Sequence, residues 1–189
     1  MAEIRLLRAA EVDAQLLKRL IAGYTTTEAY RVVRDETADV IHFELRLAPL
    51  KQPSVKRYPL DEVVVEHYQK LVVTGHAFGA FAGEVCVGIA LCEPQRWNHS
   101  LIVQEFHIAP DAQRQGIGRA LMAAVEAHAR AEGMRCVVCE TQNTNVGAIR
   151  FYRALGFTVD GVDISLYSND DLERGEVALF LKKRIGDAP

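Results

Sequence analysis

The chain has 189 residues, of which 49% are hydrophobic and 25% are charged, a composition typical of a globular protein with one core. Its formal net charge of −3 comes from mixed charges along the chain, which gives no basic stripe and excludes nucleic acid as the main partner. The charged amino terminus and the absence of a long apolar run exclude a signal peptide and a membrane span, so we expect a single cytoplasmic domain over residues 1–189.

The first fifty residues contain strand and helix patterns. Residues 3–7 (EIRLL) predict a short strand, and the helical spacing of apolar residues within 11–24 predicts a helix that ends at Gly23. Residues 38–49 alternate between apolar and polar side chains, which predicts a strand that stops at Pro49. A strand and a helix are therefore expected to open the domain.

The middle of the chain contains a loop, an ambiguous segment and a hairpin. Residues 51–59 (KQPSVKRYP) are interrupted by prolines and predict a flexible loop. Residues 61–72 fit a helix by their acidic start and a strand by their valines, so both interpretations stay open. Residues 76–94 predict a hairpin around Ala82-Gly83, and residues 100–110 predict the next strand.

From residue 111 the pattern changes to a loop, a helix, a strand and a second helix. The first helix has Ile117, Leu121 and Val125 on one face, and the short crossover implies that the strands before and after it are parallel neighbours. Residues 165–170 and 175–184 predict strand-rich segments at the end of the chain. This order of elements predicts an α/β fold.

The cysteines and histidines do not have the spacing of a metal site. Cys136 and Cys139 are spaced as C-x-x-C, but they lie in a β-branched apolar segment, where residues three apart point to opposite faces of a strand. No second cysteine pair accompanies them, and no histidines have ligand spacing. We therefore expect reduced structural thiols and no bound metal.

The most informative segment is the loop that joins the strand ending at Pro110 to the next helix. It contains Gln113, Arg114, Gln115, Gly116, Ile117, Gly118 and Arg119. A helix amino terminus has unsatisfied N–H groups and a partial positive charge, and glycines let a phosphate approach the backbone. A tight turn that needs glycine is the alternative. The P-loop ending is absent, and the dinucleotide-binding fingerprint lacks its third glycine.

Two motifs in this order resemble those of the GNAT acetyltransferase superfamily. The Q-x-x-G-x-G loop is followed by an N-x-x-A-x-x-x-Y-x-x-x-G-F motif, formed by Asn145, Ala148, Tyr152, Gly156 and Phe157. The resemblance covers about residues 70–160 and implies a splayed, mixed central sheet of about six to seven strands flanked by helices. It also implies that acetyl-CoA binds with its pyrophosphate on backbone N–H groups of residues 114–119.

A more specific resemblance is to the streptothricin acetyltransferase branch. Residues 140–157 and 161–167 (GVDISLY) resemble this branch, and residues 30–32 and 42–45 resemble it more loosely. Enzymes of this branch acetylate an amine on a cationic, lysine-like arm of an antibiotic. The resemblance therefore implies a small-molecule cationic amine as acceptor, with antibiotic resistance as the outcome, and it leaves a homodimer open.

Attack on a thioester requires a neutral amine, whereas an alkylammonium has a pKa of about 10.4, so a base or a water relay is expected. By resemblance Glu105 holds the superfamily position of an acidic residue that serves or relays this role on the fourth strand. Glu105 can also bind the substrate ammonium group or be a bystander. His107 shares the strand face of Glu105 and competes with it for the role of base.

Further roles are implied by superfamily position. Tyr152 corresponds to the acid that protonates the departing thiolate, although it can instead pack in the core beside Phe151 and Leu155. Asn145 can cap its helix and bind the pantetheine arm. The cofactor contacts expected outside the glycine loop are Phe106, His107, Ile108, Asn145, Ala148 and Tyr152.

Carboxylates and aromatic faces suit a cationic acceptor. The substrate contacts expected by resemblance are Tyr30, Glu44, Asp163 and Tyr167. Asp163 can equally be a turn residue after Gly161.

Three functions remain open at this level. The first is an enzyme for small cationic amines, including antibiotics of the streptothricin type. The second is a protein-lysine or terminal-amine acetyltransferase, which would need an open groove for a polypeptide. The third is an acyl-CoA-binding sensor without turnover, which the presence of both Tyr152 and Glu105 disfavours.

Overall fold

The computed structural model of the chain describes residues 2–186. Its strands are β1 (Glu3–Leu6), β2 (Tyr24–Glu36), β3 (Ile41–Lys56), β4 (Ala77–Ala82), β5 (Val85–Gln95), β6 (Ser100–Ile108), β7 (Cys136–Gln142), β8 (Thr158–Asp163) and β9 (Ala178–Arg184). Its helices are α1 (Ala14–Leu20), α2 (Glu62–Val73), α3 (Ile117–Ala131), α4 (Val146–Ala154) and α5 (Asp171–Arg174). Seven strands form a mixed sheet in the order β1-β4-β5-β6-β7-β9-β8, and β2 pairs with β3. The predicted mixed α/β class is confirmed.

The chain divides into two compact units. The first contains the chain up to Gly23, Arg57–Cys139 and the chain from Lys183, and the second contains Tyr24–Lys56 and Glu140–Lys182. The predicted domain of residues 1–189 also includes residue 1 and residues 187–189, which lie outside the described part of the chain.

In the first unit, an antiparallel ladder β1-β4-β5-β6 is followed by the parallel pair β6 and β7. The parallel pair joins Ser100–Val103 to Cys136–Cys139, which confirms the parallel neighbours predicted from the short crossover. Helix α3 packs against β4, β5 and β6. Its residues Leu121 and Val125 are completely buried, as their shared helical face predicts.

The ambiguous segment before β4 is the helix α2. Its N-cap is Asp61, whose side chain accepts a hydrogen bond from the Val64 backbone N–H at 2.9 Å. This cap satisfies one of the amide groups that a helix start leaves without a partner, and it favours helix despite three consecutive valines. Leu71 and Val72 bury the last turn in the core.

In the second unit, β2 and β3 form a long antiparallel hairpin. The predicted end of a strand at Pro49 is wrong, and so is the loop predicted over residues 51–59, because β3 continues to Lys56. β3 pairs with β2 alone, and proline is tolerated in such a strand because its missing N–H can lie on the unpaired side. The register also shifts between Thr26 and Glu28, which accommodates extra residues of β3. Strand β2 itself was not predicted from the sequence.

The end of the second unit corrects another expectation. Residues 165–170 form turns that lead into α5, and the strand lies earlier, at Thr158–Asp163. Asp171 is buried and accepts hydrogen bonds from the Tyr167 backbone N–H at 2.8 Å and from the Ser168 hydroxyl at 2.7 Å. These bonds close a turn locally, as short polar side chains commonly do, so the segment does not extend as a strand. The strand predicted within 175–184 is confirmed as β9.

The four cysteines are buried, and none of them forms a disulfide bond in the part of the chain that the structure describes. Burial raises the pKa of the Cys92 thiol, so this side chain stays protonated and packs as an apolar group. No helix in the described residues has the length and hydropathy that a membrane crossing requires.

A histidine pair in the first unit lies between β4 and α3. His76 Nδ1 and His128 Nε2 are 2.8 Å apart, and the edge of the His128 ring contacts Phe78. Burial, followed by the charge of His128, lowers the pKa of His76 below its usual 6.5. The pair can share a hydrogen bond only while at least one ring nitrogen accepts.

We expect His76→Gln to reduce the loss of stability at acidic pH. Because the folded state holds the pKa of His76 below 6.5, the unfolded state takes up the proton first as the pH falls through 6.5, and stability decreases below that pH. The measurement is the decrease in Tm between pH 7 and pH 5, with His42→Gln at an exposed position as the control. An equal decrease in wild type and His76→Gln would contradict this origin.

Candidate active site

The glycine loop leads directly into α3. Gly116 occupies the N-cap position with φ +81°, and no side chain caps the helix. A Cβ added to Gly116 would meet nothing within 4 Å, so space is open above the backbone. The amide groups of the first turn of α3 therefore point toward a position that an anion can approach, and the exposed Arg114 and Arg119 add positive charge nearby.

Two glutamine side chains brace this loop. The Gln113 side-chain amide donates to the Ile108 carbonyl at 3.1 Å, and that of Gln115 donates to the Asp111 carbonyl at 3.0 Å. Arg114 has φ +60°, a conformation that non-glycine residues seldom adopt. The loop is thus held in one shape by its own side chains, in addition to its glycines.

The first residues of β6 pair with both β5 and β7, whereas its last residues pair with β5. Pairing with β7 covers Ser100–Val103, while pairing with β5 continues to Ile108. Between Val103 and Glu105 the register with β5 shifts, so Gln104 is the extra residue of a bulge. The ladder between β6 and β7 therefore ends at Val103, and an extended ligand can lie along a strand backbone where such a ladder ends.

Glu105 and His107 lie on this part of β6 and on the same face, as their spacing predicts. His107 Nε2 is 2.6 Å from Glu105 Oε2, and each side chain is about one-fifth to one-quarter exposed, at 20% and 24%. The other carboxylate oxygen, Oε1, accepts a hydrogen bond from the Tyr68 hydroxyl of α2. Burial, and then the negative charge of Glu105, raises the pKa of Tyr68, so the phenol remains a donor.

Sequence reasoning did not identify Tyr68. Its segment was ambiguous between helix and strand, and only the helix brings the phenol to Glu105. The ring of Tyr58 lies edge-on to His107, with centroids 6.5 Å apart and planes at 72°. These two tyrosines are the near neighbours of the carboxylate and imidazole pair.

In the second unit, the predicted Asn145 and Tyr152 both lie on α4. The Asn145 side chain accepts a hydrogen bond from the Ala148 backbone N–H at 3.2 Å, so it caps the helix. Tyr152 is 6% exposed, and its ring centroid is 5.4 Å from that of Phe151 and 5.6 Å from that of Phe157. The motif thus holds the tyrosine ring by aromatic packing.

The predicted acceptor residues of the second unit have different surroundings. The Tyr167 hydroxyl donates a hydrogen bond to Glu140, and burial together with this bond raises the pKa of the phenol. Asp163 Oδ1 accepts from the Ser165 backbone N–H at 2.9 Å, the arrangement of a turn residue. The sequence analysis does not predict Glu140 as an acceptor contact, and its hydrogen bond with Tyr167 adds it to this group.

The two acceptor residues predicted on the hairpin lie on neighbouring strands. Glu44 on β3 forms an ion pair with Arg46 at 2.5 Å. The Tyr30 hydroxyl on β2 accepts a hydrogen bond from Arg153 at 3.4 Å. A cavity of about 630 Å³ in the second unit is lined by Tyr30, Leu45, Ile149, Arg153, Gly156, Phe157, Thr158, Val159 and Leu179. Of the predicted substrate contacts, this cavity includes Tyr30 alone.

Comparison with known proteins identifies the family. The acetyltransferase (GNAT) family model matches residues 42–157. The chain belongs to the GNAT acetyltransferase family. It is 34% identical over 174 residues to a streptothricin acetyltransferase of Streptomyces lavendulae, and the match covers 89% of this chain and 88% of that protein.

Two crystal structures extend this likeness to the fold. Nourseothricin acetyltransferase has a TM-score of 0.77 and 29% sequence identity, with 98% of this chain and 99% of that chain covered. A Bacillus anthracis protein crystallised with acetyl coenzyme A has a TM-score of 0.74 and 20% identity, with 98% of each chain covered, and shows likeness of fold. As a GNAT acetyltransferase, the protein is an acetyl-CoA-dependent N-acetyltransferase.

The groups present fit this cofactor. The open backbone at Gly116, the uncapped start of α3 and two arginines suit a diphosphate. The part of β6 beyond its ladder with β7 suits a flexible arm that carries amide groups.

We expect Gly116→Val to abolish the stabilisation of the protein by acetyl-CoA. A ligand that binds only the folded state stabilises it by about 2.7 kcal/mol at a hundredfold excess over its Kd. A β-branched side chain would block approach to the helix start. The measurement is the shift in Tm on addition of acetyl-CoA.

Gly133→Val is the matched control for this experiment. Gly133 follows the other end of α3, also has positive φ (+69°), and also has open space around its missing Cβ. Both substitutions place a β-branched residue in a strained conformation, so both should lower the basal Tm. Only Gly116→Val should lose the shift in Tm that acetyl-CoA causes. If that variant kept a normal shift, the loop would be a structural turn with no role in cofactor binding.

Proposed function

We propose that this enzyme transfers the acetyl group to a primary amine of a small cationic substrate of the streptothricin type. The observation that carries the proposal is 34% identity to a streptothricin acetyltransferase over 89% of the chain. The likeness in sequence and fold to nourseothricin acetyltransferase supports the same class of acceptor. Acetylation would remove a positive charge from the antibiotic, which is a direct route to resistance.

The acceptor contacts proposed are Tyr30, Glu44, Asp163 and Tyr167. Carboxylates attract a second cationic group of the substrate, and tyrosine rings offer a face to it. Glu140 is added to this set because it accepts the hydrogen bond of Tyr167 and contributes a further negative charge.

The cofactor contacts proposed are Phe106, His107, Ile108, Gln113, Arg114, Gln115, Gly116, Ile117, Gly118, Arg119, Asn145, Ala148 and Tyr152. Acetyl-CoA supplies the acetyl group as an activated thioester. The Tyr152 hydroxyl is proposed to supply the proton that the sulfur requires, and Glu105 to serve the removal of a proton from the substrate ammonium. We also predict one catalytic domain over residues 1–189, with its cofactor-binding core at about 70–160. A homodimer and a cytoplasmic location are further predictions.

We expect Tyr152→Phe to lower turnover by roughly ten- to a thousandfold while acetyl-CoA affinity stays close to wild type. The substitution keeps the ring and its packing on Phe151 and Phe157, and it removes only the hydroxyl. The measurements are kcat by thiol release and Kd by calorimetry.

Tyr24→Phe is the control for loss of a partly buried phenol in the same unit. Burial raises the pKa of Tyr24 to about 12, and its hydroxyl is 2.6 Å from the Thr144 hydroxyl. No catalytic role is proposed for it, so turnover should stay near wild type. If Tyr152→Phe also kept its turnover, Tyr152 would be a core residue only.

The substrate class is tested by comparing kcat/KM for streptothricin, lysine, a polyamine and a basic peptide at one salt concentration. Streptothricin or a free lysine-like arm should be acetylated better than neutral amines of similar size. A peptide favoured more than a hundredfold, about 2.7 kcal/mol of transition-state preference, would overturn the small-molecule acceptor. Thioester turnover without any amine dependence would overturn acetyl transfer itself.

A further inference from the structure

We propose that Nδ1 of His107 is the atom that removes the proton from the substrate ammonium, and that Glu105 and Tyr68 act as positioning residues for it. This inference rests on the proposed function, because it names the base for the same acceptor amine. The three residues belong to the first unit and are linked by hydrogen bonds, from Tyr68 on α2 through Glu105 to His107 near the end of β6.

The contact between Glu105 and His107 determines which imidazole nitrogen can act. An ionised carboxylate only accepts hydrogen bonds, so at 2.6 Å from Glu105 Oε2 the Nε2 atom of His107 must carry a hydrogen. The neutral ring then has its lone pair on Nδ1. Within residues 2–186, Nε2 is the nitrogen of His107 that has a hydrogen-bond partner, and the side chain is 20% exposed. Nδ1 is therefore the ring nitrogen that remains to accept a proton.

Glu105 is engaged at both of its oxygens. Oε1 accepts from the Tyr68 hydroxyl, and Oε2 accepts from His107. An ammonium group that approached the carboxylate directly would compete with both donors. The raised pKa of Tyr68, caused first by burial, keeps its hydroxyl protonated, so this competition persists across the working pH range.

A carboxylate adjoins the His107 ring that would gain the proton in this step. Among the described residues of the first unit, the groups that face it are Glu105 on its own strand, Tyr68 through Glu105, and the Tyr58 ring from the segment before α2. One of these groups is an anion and none is a cation. An imidazolium formed at His107 is thus stabilised by the adjacent carboxylate, which does not itself need to gain the proton.

The proposed step moves a single proton. One N–H bond of the substrate ammonium breaks, the proton forms a bond with His107 Nδ1, and the nitrogen keeps the electron pair with which it can attack. Glu105 stays ionised and holds the imidazolium through Nε2. The imidazolium later returns the proton to water, which restores the resting enzyme without any other reactant.

The first test compares pH profiles of kcat/KM for wild type, His107→Gln, Glu105→Gln and Tyr68→Phe, with the best amine of the substrate panel. A base contributes about 10²- to 10⁴-fold, so His107→Gln should lose that factor at pH 7. The loss should shrink as the pH approaches about 10.4, where solution itself supplies neutral amine. Tyr68→Phe should lower kcat by a smaller factor.

A structural role for His107 would give a different result. His107 is proposed to contact the cofactor through its backbone, so His107→Gln should keep the Tm shift caused by acetyl-CoA, and its defect should depend on pH. A loss of less than about tenfold at pH 7, with a large loss in Glu105→Gln, would overturn the proposal and make Glu105 the direct base. If His107→Gln does not fold, His107→Asn is the replacement variant.

The second test needs no turnover. Long-range ¹H–¹⁵N spectra of the free enzyme report which nitrogen of each histidine carries hydrogen, and the His107 signals are those absent from His107→Gln. We expect the Nε2–H form in wild type and a loss of this preference in Glu105→Gln. An Nδ1–H form in wild type would overturn the proposal. Because these spectra do not depend on the acceptor, failure of the substrate panel and failure of this inference are distinguishable.

Discussion

The proposed chemistry depends on a change in the neighbours of β6 along its length. Over Ser100–Val103 the strand is paired on both sides, and beyond the Gln104 bulge its ladder with β7 has ended. A backbone polar group has to find a partner in the protein, in water or in a ligand, so a strand edge inside a sheet is a place for an extended ligand. The same part of the strand carries Glu105 and His107, the residues that we propose for acid–base chemistry beside the cofactor.

The arrangement of Glu105 and His107 depends on α2, a helix that is distant from them in the sequence. Glu105 and His107 are two residues apart and face the same way on any strand, but a free carboxylate and imidazole can adopt many relative positions. Tyr68, on α2, fixes one carboxylate oxygen and leaves the other for the imidazole. The apolar face of α2 buries Leu71 and Val72, so the packing of that helix holds Tyr68 where it contacts Glu105.

The second unit combines a capped helix start with polar pairs at the residues that we propose as acceptor contacts. Asn145 caps α4 and the aromatic rings around Tyr152 fix the phenol within that helix. Tyr167 and Glu140, and Tyr30 and Arg153, are paired across elements far apart in the chain. Such pairs can exchange a protein partner for a substrate cation or anion, which is how specificity is commonly built over a fixed scaffold.

The sequence by itself determined the family, the mixed α/β class, the glycine loop before α3 and the hairpin β4–β5, because these depend on local periodicity and on motifs with fixed spacing. It failed at β2, at β3 beyond Pro49 and at residues 165–170, because strand pairing and side-chain caps between separate segments override local propensity there. The site divides in the same way. Glu105 and Tyr152 follow from superfamily position and His107 from strand alternation with Glu105, whereas the contacts of Tyr68 with Glu105 and of Tyr167 with Glu140 form only when separate segments fold together.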